Sequence, residues 1–160
     1  MRIFECDQRS EAWFLARAGI PTSSEFATVL AKGKGSAESV TRRRYMLKLA
    51  GERFTGEPSE SYENQNMIRG REMEPEARDF YAFVHDVEPR LIGFVTTDDG
   101  MAGCSPDSFI GDAGMLEIKT SFPHVLIELM LKGGFPPEYR AQCQGALWVA
   151  EREWIDLSVY

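Results

Sequence analysis

Histidine and cysteine are scarce in this chain, with 2 and 3 residues in 160. The histidines, His85 and His124, lack the close helical spacing of a zinc-binding pair, which argues against a His-based zinc centre. The cysteines, Cys6, Cys104 and Cys143, are odd in number and far apart, so neither a disulfide framework nor a zinc ribbon is indicated. Any metal must then be held by carboxylates, and oxygen donors favour magnesium, manganese or calcium. Long apolar runs are missing too: none approaches the roughly 20 residues that span a bilayer. The N-terminal MRIFECDQRS has no basic-then-apolar leader profile. A soluble protein with a cytoplasmic address and no membrane partner is expected. Positive charge is in deficit, with 18 Lys and Arg against 25 Asp and Glu and a net charge of −7. That balance excludes a domain that coats nucleic acid over its whole surface, but leaves room for a local basic channel. The run Arg42-Arg43-Arg44 reads either as a solvated helix face or as part of such a channel.

What is present is enough apolar residue for a core, 43% of a chain of single-domain length, and one change of period along it. The first half reads as helical. QRSEAWFLARAG offers Trp13, Phe14 and Ala16 for burial. TSSEFATVLAKG follows, where Thr22 and Glu25 have the spacing of a capping box. A third helix is expected near 39–54, burying Val40, Leu47, Ala50 and Phe54, after a loop in KGKGSAES. A fourth is expected near 64–84, presenting Met67, Met73, Ala77, Phe80, Tyr81 and Val84, with a kink or restart at Pro75. The pattern then becomes extended. RLIGFVTT, GMAGCSPDSFIG and GMLEIKTS, separated by DDG and GDAG turns, predict a three-stranded antiparallel meander. Helices near 124–132 and 137–150 and a strand in WIDLSVY complete an α/β (α+β) fold, a central mixed sheet flanked by helices. Because the chain closes on an apolar strand, it is expected to continue beyond Tyr160 or to be tied down there by a neighbour.

The chemistry concentrates at residues 103–121. Residues two apart on a strand share a face, so Glu117 and Lys119 point one way while Leu116 and Ile118 point into the opposite, apolar layer. A hairpin over GDAG brings Asp107 within reach of the Glu117 side. Two carboxylates brought together repel unless a cation sits between them, and a neighbouring lysine can stabilise developing negative charge. Without further information the same residues also read as a solvated strand face and a turn aspartate.

The Pro-Asp at 106–107 and the Glu-Ile-Lys at 117–119 resemble the PD-(D/E)-x-K nuclease signature, and the order of elements resembles that superfamily's restriction-endonuclease-like core. Within it, the chain resembles the phage lambda exonuclease family, also called YqaJ-like viral recombinases. The matching segments are EAWFLARAGIPTSSEF, RGREMEPEARDFY, AGCSPDSFI, LEIKTSF, LKGGF and EYRAQCQGALWV, in order from residue 11 to residue 149. The resemblance implies a magnesium-dependent exonuclease, with Mn2+ able to substitute. It would digest one strand of duplex DNA from its 5′ end to 5′-phosphomonoester products, leaving a 3′ single strand for a phage annealing protein.

By position, the resemblance makes Asp107, Glu117 and Glu74 metal ligands, with the backbone carbonyl of Ile118. It makes Lys119 the catalytic lysine, Gln142 the glutamine near the attacking water and Ser105 a hydroxyl beside the scissile phosphate. Arg17, Thr22 and Ser24 match a 5′-phosphate pocket, and Trp13 an aromatic near the melted DNA end. Read alone, Thr22 and Ser24 are helix caps, Arg17 a partner for a glutamate, Gln142 an exposed helix residue, Glu74 a helix-start acid and Trp13 core. The family's closed trimeric ring, in a bacterial host carrying a phage or prophage, would reconcile an acidic chain with DNA, since only the channel lining must be positive. Two departures stand out: the family usually has further C-terminal structure, and TSFPH after Lys119 lacks the family's Cys-Pro start and nearby arginine. Competing readings are an endonuclease of the same superfamily, a DNA-end-binding module without catalysis, and a hydrolase of small phosphoesters.

Overall fold

The computed structural model describes residues 1–35, 37–59 and 64–160. A short strand β1 (Arg2–Phe4) leads to helix α1 (Glu11–Arg17), a 3-10 turn at Ser23–Glu25 and a short helix α2 (Phe26–Leu30). Helices α3 (Val40–Thr55) and α4 (Gln65–His85) follow. Then come strands β2 (Pro89–Arg90), β3 (Phe94–Thr96), β4 (Gly103–Cys104), β5 (Ser108–Ile110) and β6 (Gly114–Lys119), helices α5 (Pro123–Lys132) and α6 (Arg140–Ala150), and strand β7 (Trp154–Val159). Side-chain caps start α1, α3 and α4: Ser10 accepts from the Trp13 amide, Ser39 from Arg42 and Asn64 from Met67.

The mixed α/β expectation is borne out, with the meander redistributed between two sheets. One has the order β1-β3-β4 and the other β2-β5-β6-β7. RLIGFVTT breaks between β2 and β3, and GMAGCSPDSFIG breaks at Ser105-Pro106-Asp107, between β4 and β5. Proline has no N–H to give to a ladder, so the strand switches sheets there. The pairings between these strands are antiparallel except β6 with β7, which run parallel from Gly114↔Trp154 to Lys119↔Val159.

Strands β5 and β6 carry a core on each face. Phe109 and Met115 pack with Val95, Cys104 and the α6 residues Ala146, Val149 and Ala150. Ile110, Leu116 and Ile118 pack with Ala77 and Tyr81 of α4. Helix α6 approaches α2 closely because Gly145 has no side chain: a Cβ there would lie 2.1 Å from the Phe26 ring.

Several helical expectations need correction. Residues 22–33 do not form one helix: Thr22 starts the 3-10 turn without a side-chain cap, and its Oγ1 pairs with Ser24 Oγ at 3.2 Å. Pro75 lies inside α4 without ending it. On α3, Val40, Leu47, Ala50 and Phe54 are exposed, Phe54 by 93%. On α4, Ala77 and Tyr81 are buried while Met67, Phe80 and Val84 are exposed. Apolar spacing marks the side of a helix that can be covered, and in this chain nothing among the described residues covers these. On α1, Trp13, Phe14 and Ala16 are only partly buried.

Candidate active site

Strand β6 alternates as its sequence predicts. Leu116 and Ile118 face α4, and Glu117 and Lys119 face the opposite side, where α6 crosses. Glu117 is 4% exposed, which a carboxylate tolerates only with partners. It has two on one oxygen: Lys119 Nζ donates to Oε1 at 2.6 Å and Gln142 Nε2 donates to Oε1 at 2.5 Å. Burial disfavours the Lys119 ammonium, but Glu117 and then Asp107 outweigh that and hold its pKa above the ordinary value.

Asp107 sits where the chain bends from β4 to β5, and its Oδ2 accepts the Ile118 N–H at 2.6 Å. The tie of Ile118 to this site is therefore its amide. Burial first, then the Glu117 and Glu74 carboxylates, push the Asp107 carboxyl well above the usual range. Those three acids are the groups assigned as ligands from the sequence. Glu74, however, is engaged by Arg78, one turn along α4, in an i,i+4 ion pair. Arg78 Nε also donates to Ser108 Oγ at 3.0 Å, and Ser108 Oγ donates to the Asp107 carbonyl at 2.6 Å. Cys143, beside this group, is pushed up to about 11 by burial and by Glu117, so its thiol is protonated at neutral pH.

The donor set is all oxygen, and its mutual repulsion at Asp107 is what a hard divalent cation would relieve, so the residues fit magnesium or manganese chemically. Among the described residues no group of three or more His, Cys, Asp or Glu side chains is arranged to enclose an ion. Glu74 is held by Arg78, and Glu117 Oε1 by Lys119 and Gln142.

The second group of predicted residues converges on a cavity of about 390 Å³ lined by Arg9, Trp13, Arg17, Thr22, Ser24, Tyr45 and Lys48 among others. The Arg17 guanidinium lies 4.0 Å from the centroid of the Trp13 ring. Arg17 Nη1 donates to Ser105 Oγ at 2.9 Å, and Trp13 Nε1 donates to the same oxygen at 2.9 Å and to the Gly93 carbonyl at 3.1 Å. Burial lowers the pKa of Arg17, yet no carboxylate pairs with it among the described residues. Thr22 is fixed by a β-bridge to Gly103 and by its N–H to Tyr45 Oη at 3.2 Å. Ser105, two residues before Asp107, thus joins the cavity to the carboxylate site.

Three residues went unnoticed in the sequence. Arg78 is one. Glu52 and Arg53 are the others: Glu52 Oε2 accepts the Gly19 N–H at 2.8 Å, Arg53 Nε donates to the Gly19 carbonyl at 2.6 Å, and Glu52 Oε1 accepts the Ser59 N–H at 3.1 Å. The turn after Arg17 is gripped on both sides by neighbours on α3. A Glu-x-x-x-Arg spacing at 74–78 signals nothing by itself, and a contact across 33 residues leaves no local pattern.

Residues 12–153 match the YqaJ-like viral recombinase domain. No curated protein matches the chain. Among solved structures, an alkaline exonuclease from Laribacter hongkongensis is similar at a TM-score of 0.83 and 34% identity, over 94% of this chain and 74% of that one. The same exonuclease in complex with dAMP gives the same values. A phage-related exonuclease from Haemophilus somnus 129PT shares the fold at a TM-score of 0.60 and 16% identity, over 88% of this chain and 68% of that one. With one domain matched along nearly its whole length, the chain belongs to the YqaJ-like viral recombinase family.

Proposed function

We propose that this protein is a DNA exonuclease, dependent on Mg2+, that degrades one strand of linear duplex DNA from its 5′ end to leave a 3′ single-stranded tail. One observation carries the reading: Ser105, which accepts from Arg17, links a cavity suited to a terminal phosphate to the Asp107, Glu117, Lys119 and Gln142 group. The alkaline exonuclease relative and the family match support nuclease chemistry on DNA.

Each side chain has a task its geometry supports. Arg17, with Thr22 and Ser24, binds the 5′-phosphate, a guanidinium and hydroxyls being apt donors to an anion. Trp13 holds Arg17 from below and Ser105 from the side. Ser105 accepts two hydrogen bonds, which fills its lone pairs and leaves its O–H to donate to a phosphate oxygen. When bound, Mg2+, for which Mn2+ substitutes, offsets charge developing on the phosphate and eases deprotonation of a water. Asp107, Glu117, Glu74 and the Ile118 carbonyl would hold it. Lys119 stabilises negative charge at the reacting phosphate. Gln142 gives its N–H to Glu117 and keeps its amide oxygen to orient the water.

The 3′ tail is the substrate of a single-strand annealing partner, and the setting is the cytoplasm of a bacterial host carrying a phage or prophage. A homotrimeric ring is the proposed assembly, supported by apolar side chains left uncovered, such as Phe54, Phe83 and Leu131 at 93%, 85% and 83% exposure.

The test is digestion of linear and covalently closed circular duplexes in Mg2+, by the protein and its Lys119→Ala variant. Shortening of linear DNA alone, lost in the variant, is the expected result. Cutting of closed circles would replace the exonuclease reading with an endonuclease, and end binding without cutting would leave a binding module.

A further inference from the structure

We propose that Arg69, whose guanidinium lies over the Phe122 ring in the segment that follows Lys119, is a phosphodiester-binding residue that grips the DNA backbone next to the reacting phosphate. The proposal rests on the exonuclease reading above and adds to it a contact outside the terminal-phosphate cavity.

Arg69 lies in the first half of α4, and Phe122 in the turn between β6 and α5. The Arg69 guanidinium carbon is 4.9 Å from the centroid of the Phe122 ring, and that ring stacks on His124 at 6.0 Å and 10°. Phe122 remains 44% exposed, so this is no core contact. The neighbouring residue fixes the approach: a Cβ on Gly70 would lie 3.0 Å from Thr120 Oγ1. Gly70 therefore allows α4 to sit against the residue that follows Lys119. Arg69 thus precedes Glu74 by five residues on α4 and meets the chain three residues after Lys119.

Charge accounting supports this arginine. The site is rich in carboxylates, in a chain of net charge −7, and a phosphodiester approaching it needs cations that are not already neutralised. Lys119 is paired with Glu117 and Arg78 with Glu74. Arg69 has no carboxylate partner among the described residues; its guanidinium lies against the Phe122 ring. The ring takes no N–H hydrogen bond from the Arg69 guanidinium in this contact, so its N–H groups remain to grip a phosphate in a forked hydrogen bond. The ring orients the cation without cancelling its charge. The segment TSFPH after Lys119 has no arginine of its own, and α4 brings one to it.

The experiment measures binding of a fluorescent, 5′-phosphorylated blunt duplex at a series of salt concentrations. It uses the full chain carrying Lys119→Ala, so that the DNA is not consumed, with Arg69→Ala, Arg69→Lys or Phe122→Ala added. Loss of one phosphate contact flattens the slope of log affinity against log salt by about 0.9. Arg69→Ala is expected to do so and to weaken binding about tenfold near 0.15 M salt. Arg69→Lys should keep the slope, and Phe122→Ala should weaken binding with the slope kept, because the charge remains. An Arg69→Ala affinity and slope equal to the parent's would overturn the proposal, as would weakening by Arg69→Ala with no change of slope, the mark of a packing role. If Arg69→Ala does not fold, Arg69→Gln makes the same comparison with the stem retained. If the Lys119→Ala parent binds no duplex ends, the exonuclease reading itself fails and this proposal falls with it.

Discussion

Lys119 and Glu117, two residues apart on β6, form a largely buried ion pair with Nζ 2.6 Å from Oε1. Each is the condition for the other: the carboxylate keeps the lysine charged in a buried place, and the lysine with Gln142 keeps the carboxylate solvated by protein. Lys119→Ala removes the cation and leaves Glu117 with one donor. Nuclease activity should fall by about a thousandfold, and stability by about 1–3 kcal/mol. Digestion rates and thermal melts on the same preparations check both. Full activity in the alanine variant would remove Lys119 from the chemistry.

Asp107 pulls function against stability. Its folded pKa is raised, by burial and then by Glu117 and Glu74, so its share of stability is present in acid, below the ordinary value of about 3.9, and is lost as pH rises through the folded value. Asp107→Asn can still accept the Ile118 N–H. It should abolish cleavage while melting higher than the unsubstituted protein at pH 8 without divalent cation, by about 2–4 °C for each kcal/mol relieved, with the gap closing near pH 4. Added Mg2+ should raise the melting point of the unsubstituted protein at pH 8 and not that of the variant. Equal melting points at pH 8 would show that the acids do not strain one another.

Arg78 holds Glu74 and, through Ser108, the backbone of Asp107. Arg78→Ala should weaken cation binding and activity by about 10–100-fold, the usual effect of removing a group that orients a ligand. Calorimetric Mn2+ titration reads the binding and digestion reads the rate. Arg78→Lys should restore little, since one ammonium cannot serve both Glu74 and Ser108 as the guanidinium fork does. Mn2+ affinity unchanged in Arg78→Ala would refute the link.

Glu52 should matter to end recognition although it touches no carboxylate ligand. Burial opposes its charge, but the Gly19 and Ser59 amides and then Lys48 overcome this and lower its pKa. Glu52→Ala frees the Gly19 N–H and loosens the turn that carries Arg17. The ratio of cleavage rates for 5′-phosphorylated and 5′-hydroxyl duplexes should drop several-fold, with a stability loss of about 1–3 kcal/mol. An unchanged ratio would mean that the turn holds its shape without Glu52.

The parts of this site that were legible in the sequence are those fixed by short-range geometry. Strand alternation alone set Glu117 and Lys119 on one face and Leu116 and Ile118 on the other, and one hairpin turn set Asp107 nearby. The helices α4 and α5 were placed within a residue of their ends, and α6 to its last residue, with a 3-10 turn at Pro137–Tyr139 where its start was expected. What escaped depends on distant partners. Strand β1 has three residues and one partly buried side chain, too little pattern to register before β3 pairs with it. Phe54 and Leu47 looked like core because spacing identifies an apolar stripe and not what covers it. Arg78 looked like any i,i+4 partner on a helix surface, and the Glu52 grip on Gly19 exists only once α1 packs on α3.

The most direct test of the central claim compares single-turnover digestion of one linear duplex bearing a 5′-phosphate or a 5′-hydroxyl, by the unsubstituted protein and by Arg17→Ala, in Mg2+. The account predicts faster cleavage of the phosphorylated end, loss of that preference in Arg17→Ala, and release of 5′-mononucleotides from the 5′ side. Cleavage indifferent to the terminal phosphate, or proceeding from the 3′ end, would contradict it.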